Sequence, residues 1–355
     1  NKAHEYKSVT TPVKLGEDYD TAIKLVNDCD ILIINSVPAI SVPESTKSNY
    51  LKLIDNISPS IKVVVYQHDH RILSLRRNIG LEETVKRADI IFSHSSKGDF
   101  NTKLMPEFFP APNLMDMFSD DVKTIPVVHN FQPAMNIRKV RDAHWKDDIS
   151  NTEMNVHRWI GRTTSWKGYN LMFDFHDKVL RSNKQITILE GLERSPAFIT
   201  VKRDYTFDYH RYYKDMKPGI DMNAQAVDRY VNKDMLERMS MTGFGYQLSK
   251  LPPNYFERSL EYTHLELIAS GTIPVFRKEA GESLLHRTKN IPLTECDSGI
   301  IWLTSDNYDE SFELMKELAS DKKLYNSTRE KAFEFILEHQ DSEQCFKEQF
   351  DIITA

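Results

Sequence analysis

The chain has 355 residues, 40% of them apolar and 28% charged, with a formal net charge of −6. This length predicts two domains, and the composition is typical of a globular protein, excluding disordered and collagen-like classes. The sequence contains no run of about 18 apolar residues, so no membrane-spanning helix is predicted. The three cysteines lie too far apart to predict a disulfide framework or a zinc cluster.

Four short runs in the first half are continuously apolar, which predicts strands buried on both faces. They are residues 30–36, 61–67, 88–94 and 125–131. Helix-like segments precede the first three runs, at residues 17–29, 45–57 and 80–88. This alternation predicts a doubly wound parallel α/β sheet in an N-terminal domain of residues 1–150. The first 20 residues contain no comparable strand, so we expect an opening strand to be missing from this domain.

The same alternation starts again after residue 150 and predicts a second Rossmann-like domain over residues 151–335. Its predicted strands are residues 157–164, 185–192, 243–249, 271–276 and 299–304, with a helix at 170–180. Residues 308–353 then predict consecutive helices. The segment 336–355 is a C-terminal helix that we expect to pack back on the N-terminal domain.

The sequence His68-Asp69-His70 directly follows the second predicted strand. In open parallel sheets, ligands bind at the edge formed by the carboxyl ends of the strands. A metal site would need further ligands, and no nearby His, Asp or Glu supplies them at a recognisable spacing, so no metal is expected. A hydrogen-bonded loop cluster and a catalytic group both remain as interpretations of this triplet.

Arg162 and Lys167 lie between a predicted strand and a predicted helix. A forked guanidinium and an ammonium at a helix N-terminus suit a diphosphate, which one can bind bidentately and the other as a point charge. An ordinary basic turn explains the same two residues equally well.

Glu261 and Glu266 bracket the start of a predicted helix that ends near Gly271 and leads into a strand. A carboxylate in the first turn of such a helix could accept both hydroxyls of a ribose. Thr263 and Glu266 also fit the spacing of a capping box, which would give Glu266 a purely structural role.

Several long motifs resemble those of retaining glycosyltransferases of the GT-B type and, more narrowly, of the DNA α-glucosyltransferases of T-even bacteriophages. They include VVVYQHDH, WIGRTTSWKG, EGLERSPAF, GFGYQLSKL and SGTIPVF, and the resemblance extends over nearly the whole chain. It implies two Rossmann-like domains facing across a cleft. It also implies transfer of a sugar, expected to be glucose, from a UDP-sugar to the hydroxyl of 5-hydroxymethylcytosine in double-stranded DNA, giving an α linkage.

The resemblance also implies roles for individual residues. Arg162 and Lys167 would hold the diphosphate, Glu266 the ribose, and Glu190 and Gly191 would line the donor pocket. The expected catalytic residues are Asp69, His68 and Glu261, placed where the sugar and the acceptor hydroxyl meet. A UDP-pentose such as UDP-arabinose remains an alternative donor, and a non-catalytic binder of modified DNA remains an alternative function.

Because the hydroxymethyl group lies inside the DNA duplex, we expect the enzyme to flip the modified base out of the duplex. Basic residues beside the candidate site could hold the flanking phosphates, although a solvated charged face is an alternative interpretation of each cluster. These candidates are His70, Arg71, Arg76, Arg77, Lys139 and Arg141. We expect a monomer without a membrane partner or an essential metal, acting in the cytoplasm of an infected bacterial host.

Overall fold

The structure is a computed structural model, and it describes residues 18–34, 43–67, 81–93, 127–130, 135–161, 167–180, 188–193, 233–249 and 260–355. The chain divides into two compact units, Asn1–Phe131 and Gln132–Ala355. Each unit contains its own parallel sheet flanked by helices. The predicted α/β class with two Rossmann-like units is therefore confirmed.

The first unit has four described strands, all parallel, in the order β1-β2-β3-β4. They are β1 Ile31–Ile34, β2 Lys62–Gln67, β3 Ile90–Ser93 and β4 Val127–Asn130. Each lies inside one of the apolar runs that predict it. Val63, Val64 and Val65 are consecutive and at most 2% exposed, which requires that both faces of β2 be covered.

Three described helices accompany this sheet: α1 Tyr19–Asn27, α2 Glu44–Asn56 and α3 Leu81–Arg87. Helix α1 begins where the Asp18 side chain accepts a hydrogen bond from the Thr21 N–H, a typical N-cap. Helices α2 and α3 are joined by a buried hydrogen bond of 2.7 Å between the Tyr50 and Thr84 hydroxyls. Helices α1 and α3 fall within predicted helical segments, and α2 begins one residue before the predicted segment 45–57.

The second unit has five described strands in the order β6-β5-β7-β8-β9, and every neighbouring pair is parallel. They are β5 Val156–Gly161, β6 Ile188–Glu193, β7 Phe244–Gln247, β8 Ile273–Arg277 and β9 Ile301–Leu303. The chain leaves β5 towards β6 on one side and later forms β7 on the other side. The carboxyl ends of β5 and β7 therefore flank a topological switch point, where open α/β sheets bind ligands.

The helices of the second unit cover both faces of this sheet and close the chain. In the described residues they are α4 Ile137–His144, α5 Asn151–Met154, α6 Tyr169–Lys178, α7 Lys233–Ser240, α8 Tyr262–Ala269, α9 Lys278–Ser283, α10 Tyr308–Ser320, α11 Lys322–Gln340 and α12 Ser342–Thr354. The consecutive helices predicted over residues 308–353 are present as α10, α11 and α12. Within the described ranges, no helix is both long and apolar enough to cross a membrane.

The division between the two units lies at residue 131, so the predicted limit at 150 falls inside the second unit. Ile137 of α4 is fully buried in the same cluster as Leu265 of α8, and the Arg138 guanidinium donates to Asp341 Oδ2 at 2.8 Å. These contacts tie the segment after residue 131 to the second sheet's helices. The predicted packing of the C-terminal helix on the N-terminal domain stays a prediction.

A polar pair is buried inside the second unit between β5 and β7. His157 Nδ1 lies 2.5 Å from the Tyr246 hydroxyl, which also lies 3.3 Å from Met315 Sδ. Burial lowers the pKa of His157 to about 3, so its imidazole is neutral in the folded protein at neutral pH. Burial likewise lowers the pKa of His264, on α8, to about 4.

These two histidines predict a loss of stability in mild acid. In the unfolded chain a histidine takes up a proton near pH 6.5, whereas the folded protein keeps both neutral, so unfolding binds protons below that pH. The free energy of unfolding should therefore be undiminished above about pH 6.5 and fall by about 1.4 kcal/mol per pH unit for each histidine between pH 6.5 and its folded pKa. Urea titrations of the wild type and His157→Gln across this range test this. An unchanged slope in the variant would contradict the assignment to His157.

Candidate active site

The candidate site lies at the switch point of the second sheet. Gln247 is the last residue of β7, Lys167 lies between β5 and α6, and Glu261 is the residue immediately before α8. Residues from three segments that are distant in the chain therefore meet at one edge of the sheet. Lys167 and Glu261 are both residues that the sequence predicts for the site, and the structure brings them into contact.

Lys167 and Glu261 form an ion pair in which the ammonium contacts Glu261 Oε2. Their side chains are only 12% and 14% exposed, so water screens the two charges weakly. The side-chain amide of Gln247 donates to the same carboxylate oxygen at 3.1 Å. A buried charge keeps its ionised form only when such partners compensate for lost hydration, and here each charge has them.

Gly168 lets Lys167 lie against the end of β7. Its φ of +73° is in the left-handed region, and a Cβ atom at this position would lie 1.9 Å from the carbonyl oxygen of Leu248. Only glycine fits both the conformation and the contact. Because Gly168 is also the N-cap of α6, the turn places the ammonium of Lys167 near a helix N-terminus, where anions bind well.

Helix α8 begins two residues earlier than a capping box at Thr263 requires. Glu261 is the N-cap with an extended backbone, and its carbonyl accepts hydrogen bonds from the N–H groups of His264 and Leu265 at 3.0 and 3.3 Å. Thr263 is already helical and buried, whereas a cap residue must be non-helical. The capping-box interpretation of Glu266 is therefore wrong.

Glu266 lies one turn further along α8 and is half-buried. The helix ends at Ala269, and Gly271, with a φ of +84°, turns the chain into β8. The predicted sequence of helix, glycine turn and strand is therefore confirmed. The backbone carbonyl of Glu266 accepts hydrogen bonds from the N–H and the hydroxyl of Ser270, at 3.0 and 2.8 Å. These bonds fix the end of helix α8.

His264 lies beside the ion pair and is a residue that sequence reasoning misses. It is buried, and its ring meets the Phe276 ring edge-on with centroids 4.2 Å apart. Burial is the main cause of its lowered pKa; the Glu261 carboxylate opposes the shift and the Lys167 ammonium adds to it. A neutral imidazole therefore lies beside the two charges and adds no positive charge to the site at neutral pH.

Several predicted site residues lie outside the described residues: His68, Asp69, His70, Arg71, Arg76, Arg77 and Arg162. The described part of β2 ends at Gln67, the residue before His68. Glu190 and Gly191 lie within β6, in register with Arg158 and Trp159 of β5, rather than after the end of the strand. Their assignment to the donor pocket stays a prediction.

Lys139 and Arg141 lie on α4, and their environments differ. Lys139 is exposed, whereas the Arg141 guanidinium donates to both carboxylate oxygens of Glu330, at 2.9 and 2.8 Å. It also lies 4.4 Å from the ring centroids of Trp145 and Phe333. Arg141 therefore joins α4 to α11, and contact with a DNA phosphate would require it to leave these partners.

We expect Arg141→Ala to lower the free energy of unfolding by about 1–2 kcal/mol, because it removes an ion pair in which one guanidinium nitrogen donates to both Glu330 oxygens, and two cation–π contacts, all partly exposed to solvent. Urea denaturation measures this loss, and Lys139→Ala serves as the matched control on the same helix. Normal stability combined with weakened DNA binding in Arg141→Ala would show that the arginine acts on DNA instead.

No group of three or more His, Cys, Asp or Glu side chains in the described part of the chain is arranged to hold a metal ion. On the described segments, the Lys167 ammonium and the Glu261 carboxylate meet at the switch point, and a second carboxylate, Glu266, lies further along α8. Such an arrangement can bind an anionic, hydroxyl-bearing ligand, because the ammonium lies near the N-terminus of α6 and the carboxylates of α8 can accept hydrogen bonds from hydroxyl groups.

Comparison with known proteins gives a consistent result. The sequence model of a family described as DNA alpha-glucosyltransferase matches residues 1–323. The DNA alpha-glucosyltransferase of Enterobacteria phage T4 is 59% identical over 355 residues, covering 99% of this chain and 88% of that protein.

Two solved structures of an alpha-glucosyltransferase are also similar. One, in complex with UDP-glucose and DNA containing an abasic site, has 55% identity and a TM-score of 0.78, with 99% of this chain and 87% of that chain covered. The other, in complex with UDP and a 13-mer DNA containing an HMU base, has 54% identity and a TM-score of 0.76, with 97% and 85% covered.

These similarities extend over almost the whole chain and include the segments that carry Lys167, Gln247 and Glu261. The predicted GT-B fold class is confirmed, and so is the predicted class of enzyme, a UDP-sugar-dependent DNA glycosyltransferase. This chain belongs to the DNA alpha-glucosyltransferase family.

Proposed function

We propose that this enzyme transfers glucose from UDP-glucose to the hydroxyl of 5-hydroxymethylcytosine in double-stranded DNA and keeps the α configuration. The observation that carries the proposal is the Lys167–Glu261 pair at the switch point of the second sheet. The family membership and the UDP-glucose and DNA named in the relatives' structures support the same donor and acceptor.

On the donor side, Lys167 and Arg162 bind the diphosphate and neutralise it as UDP departs. UDP is already a good leaving group, so stabilising its negative charge contributes more to the rate of transfer than a strong base would. Glu261 holds the ammonium of Lys167 in position, and Glu266, further along α8, accepts the ribose hydroxyls. Glu190 and Gly191 complete the donor pocket in this proposal.

On the acceptor side, the hydroxymethylated base leaves the DNA double helix and meets the sugar beside His68 and Asp69. Flipping a base costs a few kcal/mol, which contacts to the flanking backbone offset. His70, Arg71, Arg76, Arg77 and the exposed Lys139 are the proposed phosphate contacts. The enzyme acts as a monomer in the cytoplasm of the infected bacterium, where both the DNA and UDP-glucose are present.

The test is a transfer assay with labelled UDP-glucose and duplex DNA that carries either 5-hydroxymethylcytosine or unmodified cytosine. We expect the modified nucleoside alone to gain the mass of a hexose, with an α linkage by nuclear magnetic resonance. A parallel reaction with UDP-arabinose tests the alternative donor. A pentose product in preference to a hexose would correct the sugar, and no transfer from any UDP-sugar would overturn the proposed function.

A further inference from the structure

Gln247 makes two hydrogen bonds that together fix the orientation of its side-chain amide. Its carbonyl oxygen Oε1 accepts the backbone N–H of Ser249 at 2.8 Å, and its Nε2 donates to Glu261 Oε2 at 3.1 Å. Because the Ser249 N–H can only donate, the oxygen must face it, and the amide nitrogen must then face Glu261. The side chain is 1% exposed, so water does not compete for either bond.

The carboxylate that Gln247 contacts is the one that holds Lys167. Both donors use the same oxygen, Glu261 Oε2. The backbone just before Glu261 is also fixed, because the amide of Gln340 binds both the N–H and the carbonyl of Leu260, at 2.8 and 3.1 Å. With its backbone anchored, Glu261 has only side-chain torsions left to vary, and Gln247 is the neutral donor that restricts them.

We propose that Gln247 is a positioning residue, which acts through Glu261 to hold the Lys167 ammonium where the diphosphate of the donor binds. This inference rests on the proposed function, since Lys167 is taken to bind the diphosphate. A lysine has four side-chain torsions and a strongly hydrated ammonium, so it places its charge well only when a fixed partner holds it. In the structure Glu261 is that partner: Gln247, at the end of β7, binds the Glu261 carboxylate, and the carboxylate binds the Lys167 ammonium.

The first test replaces Gln247 by methionine, which has a similar length and no amide. We expect the dissociation constant of UDP and the KM for UDP-glucose each to rise about tenfold, and kcat to fall, because a hydrogen bond to a charged group is lost. Gln349→Met, at a buried position of α12, is the matched control and should bind UDP as the wild type does.

The second test first places a carboxylate at position 247 and then exchanges the amide of Gln247 with the carboxylate of Glu261. Gln247→Glu places a carboxylate against Glu261, and we expect activity to fall at high pH and to recover as the pH falls, since a protonated glutamic acid can again donate to Glu261. Among the residues that the structure describes, Lys167, Glu261 and His264 are charged or titratable groups around this position. Combining Gln247→Glu with Glu261→Gln restores an amide and a carboxylate facing each other, and should recover UDP affinity relative to Gln247→Glu alone.

Wild-type UDP affinity and kcat in Gln247→Met would overturn the inference, as would an exchange variant no better than Gln247→Glu. The pH dependence and the recovery distinguish positioning from a merely structural role, which would change stability without either effect. Because UDP binding is measured without transfer, an enzyme that fails to transfer glucose contradicts the proposed function and leaves the Gln247 result independent of it. If Gln247→Glu does not fold, the UDP affinity and kcat of Gln247→Met still decide.

Discussion

Lys167→Ala should lower kcat by about 100-fold to 1000-fold and weaken UDP binding, while the protein still folds. The ammonium lies in a poorly hydrated position beside Glu261, where a fixed charge aimed at a developing negative charge is worth most. Its loss removes the neutralising charge just as the diphosphate departs, so kcat falls together with affinity. Steady-state kinetics with UDP-glucose and calorimetry with UDP measure the two effects separately.

Removing Lys167 also leaves the Glu261 carboxylate with one charged partner fewer, and breaking a buried ion pair in this way destabilises a protein by about 3–5 kcal/mol. The remaining hydrogen bond from Gln247 places the expected loss at the low end of this range. Circular dichroism and thermal unfolding therefore accompany the kinetics. Lys178→Ala is the matched control, because Lys178 lies at the far end of α6, the helix that follows Lys167, and is 61% exposed. Wild-type kcat in a folded Lys167→Ala protein would remove Lys167 from the mechanism.

The sequence predicts the secondary structure well because its strands are buried on both faces. A buried parallel strand reads as a continuous apolar run, and the runs at 61–67 and 243–249 contain β2 and β7 as observed. The order of strands is a different matter. Whether β7 lies beside β5 depends on how the crossover helices pack between segments far apart in the chain. No local sequence pattern specifies this packing.

This dependence explains which site residues sequence reasoning finds and which it misses. Lys167 and Glu261 are charged residues at element ends, a recognisable signal, although their pairing across 94 positions appears only in the structure. Gln247 ends an apolar strand and gives no sign of chemistry. Arg141 shows a different limit: its basic cluster predicts DNA contact, which stays a prediction, but no local pattern indicates that Trp145 and Phe333 enclose its guanidinium where α4 meets α11.

Gly168→Ala should reduce kcat/KM by about 100-fold, although no functional group is removed. The added Cβ would lie 1.9 Å from the Leu248 oxygen and 2.7 Å from the Leu248 Cβ, and the φ of +73° is strained for alanine. The turn must therefore move away from β7 and carry the neighbouring Lys167 with it. A displacement of about 1 Å in a group that positions substrate is enough for a loss of this size.

Gly243→Ala separates this displacement from a general loss of stability. A Cβ at Gly243 would be nearly as crowded, 2.2 Å from the Met154 carbonyl oxygen, but Gly243 lies at the amino end of β7, at the opposite edge of the sheet from the site. Both variants should unfold at lower urea concentration. Only Gly168→Ala should lose UDP affinity and kcat/KM per folded molecule, because only that turn carries Lys167. Equal losses of kcat/KM in the two variants would mean that strain in the sheet, rather than the position of the ammonium, limits the reaction.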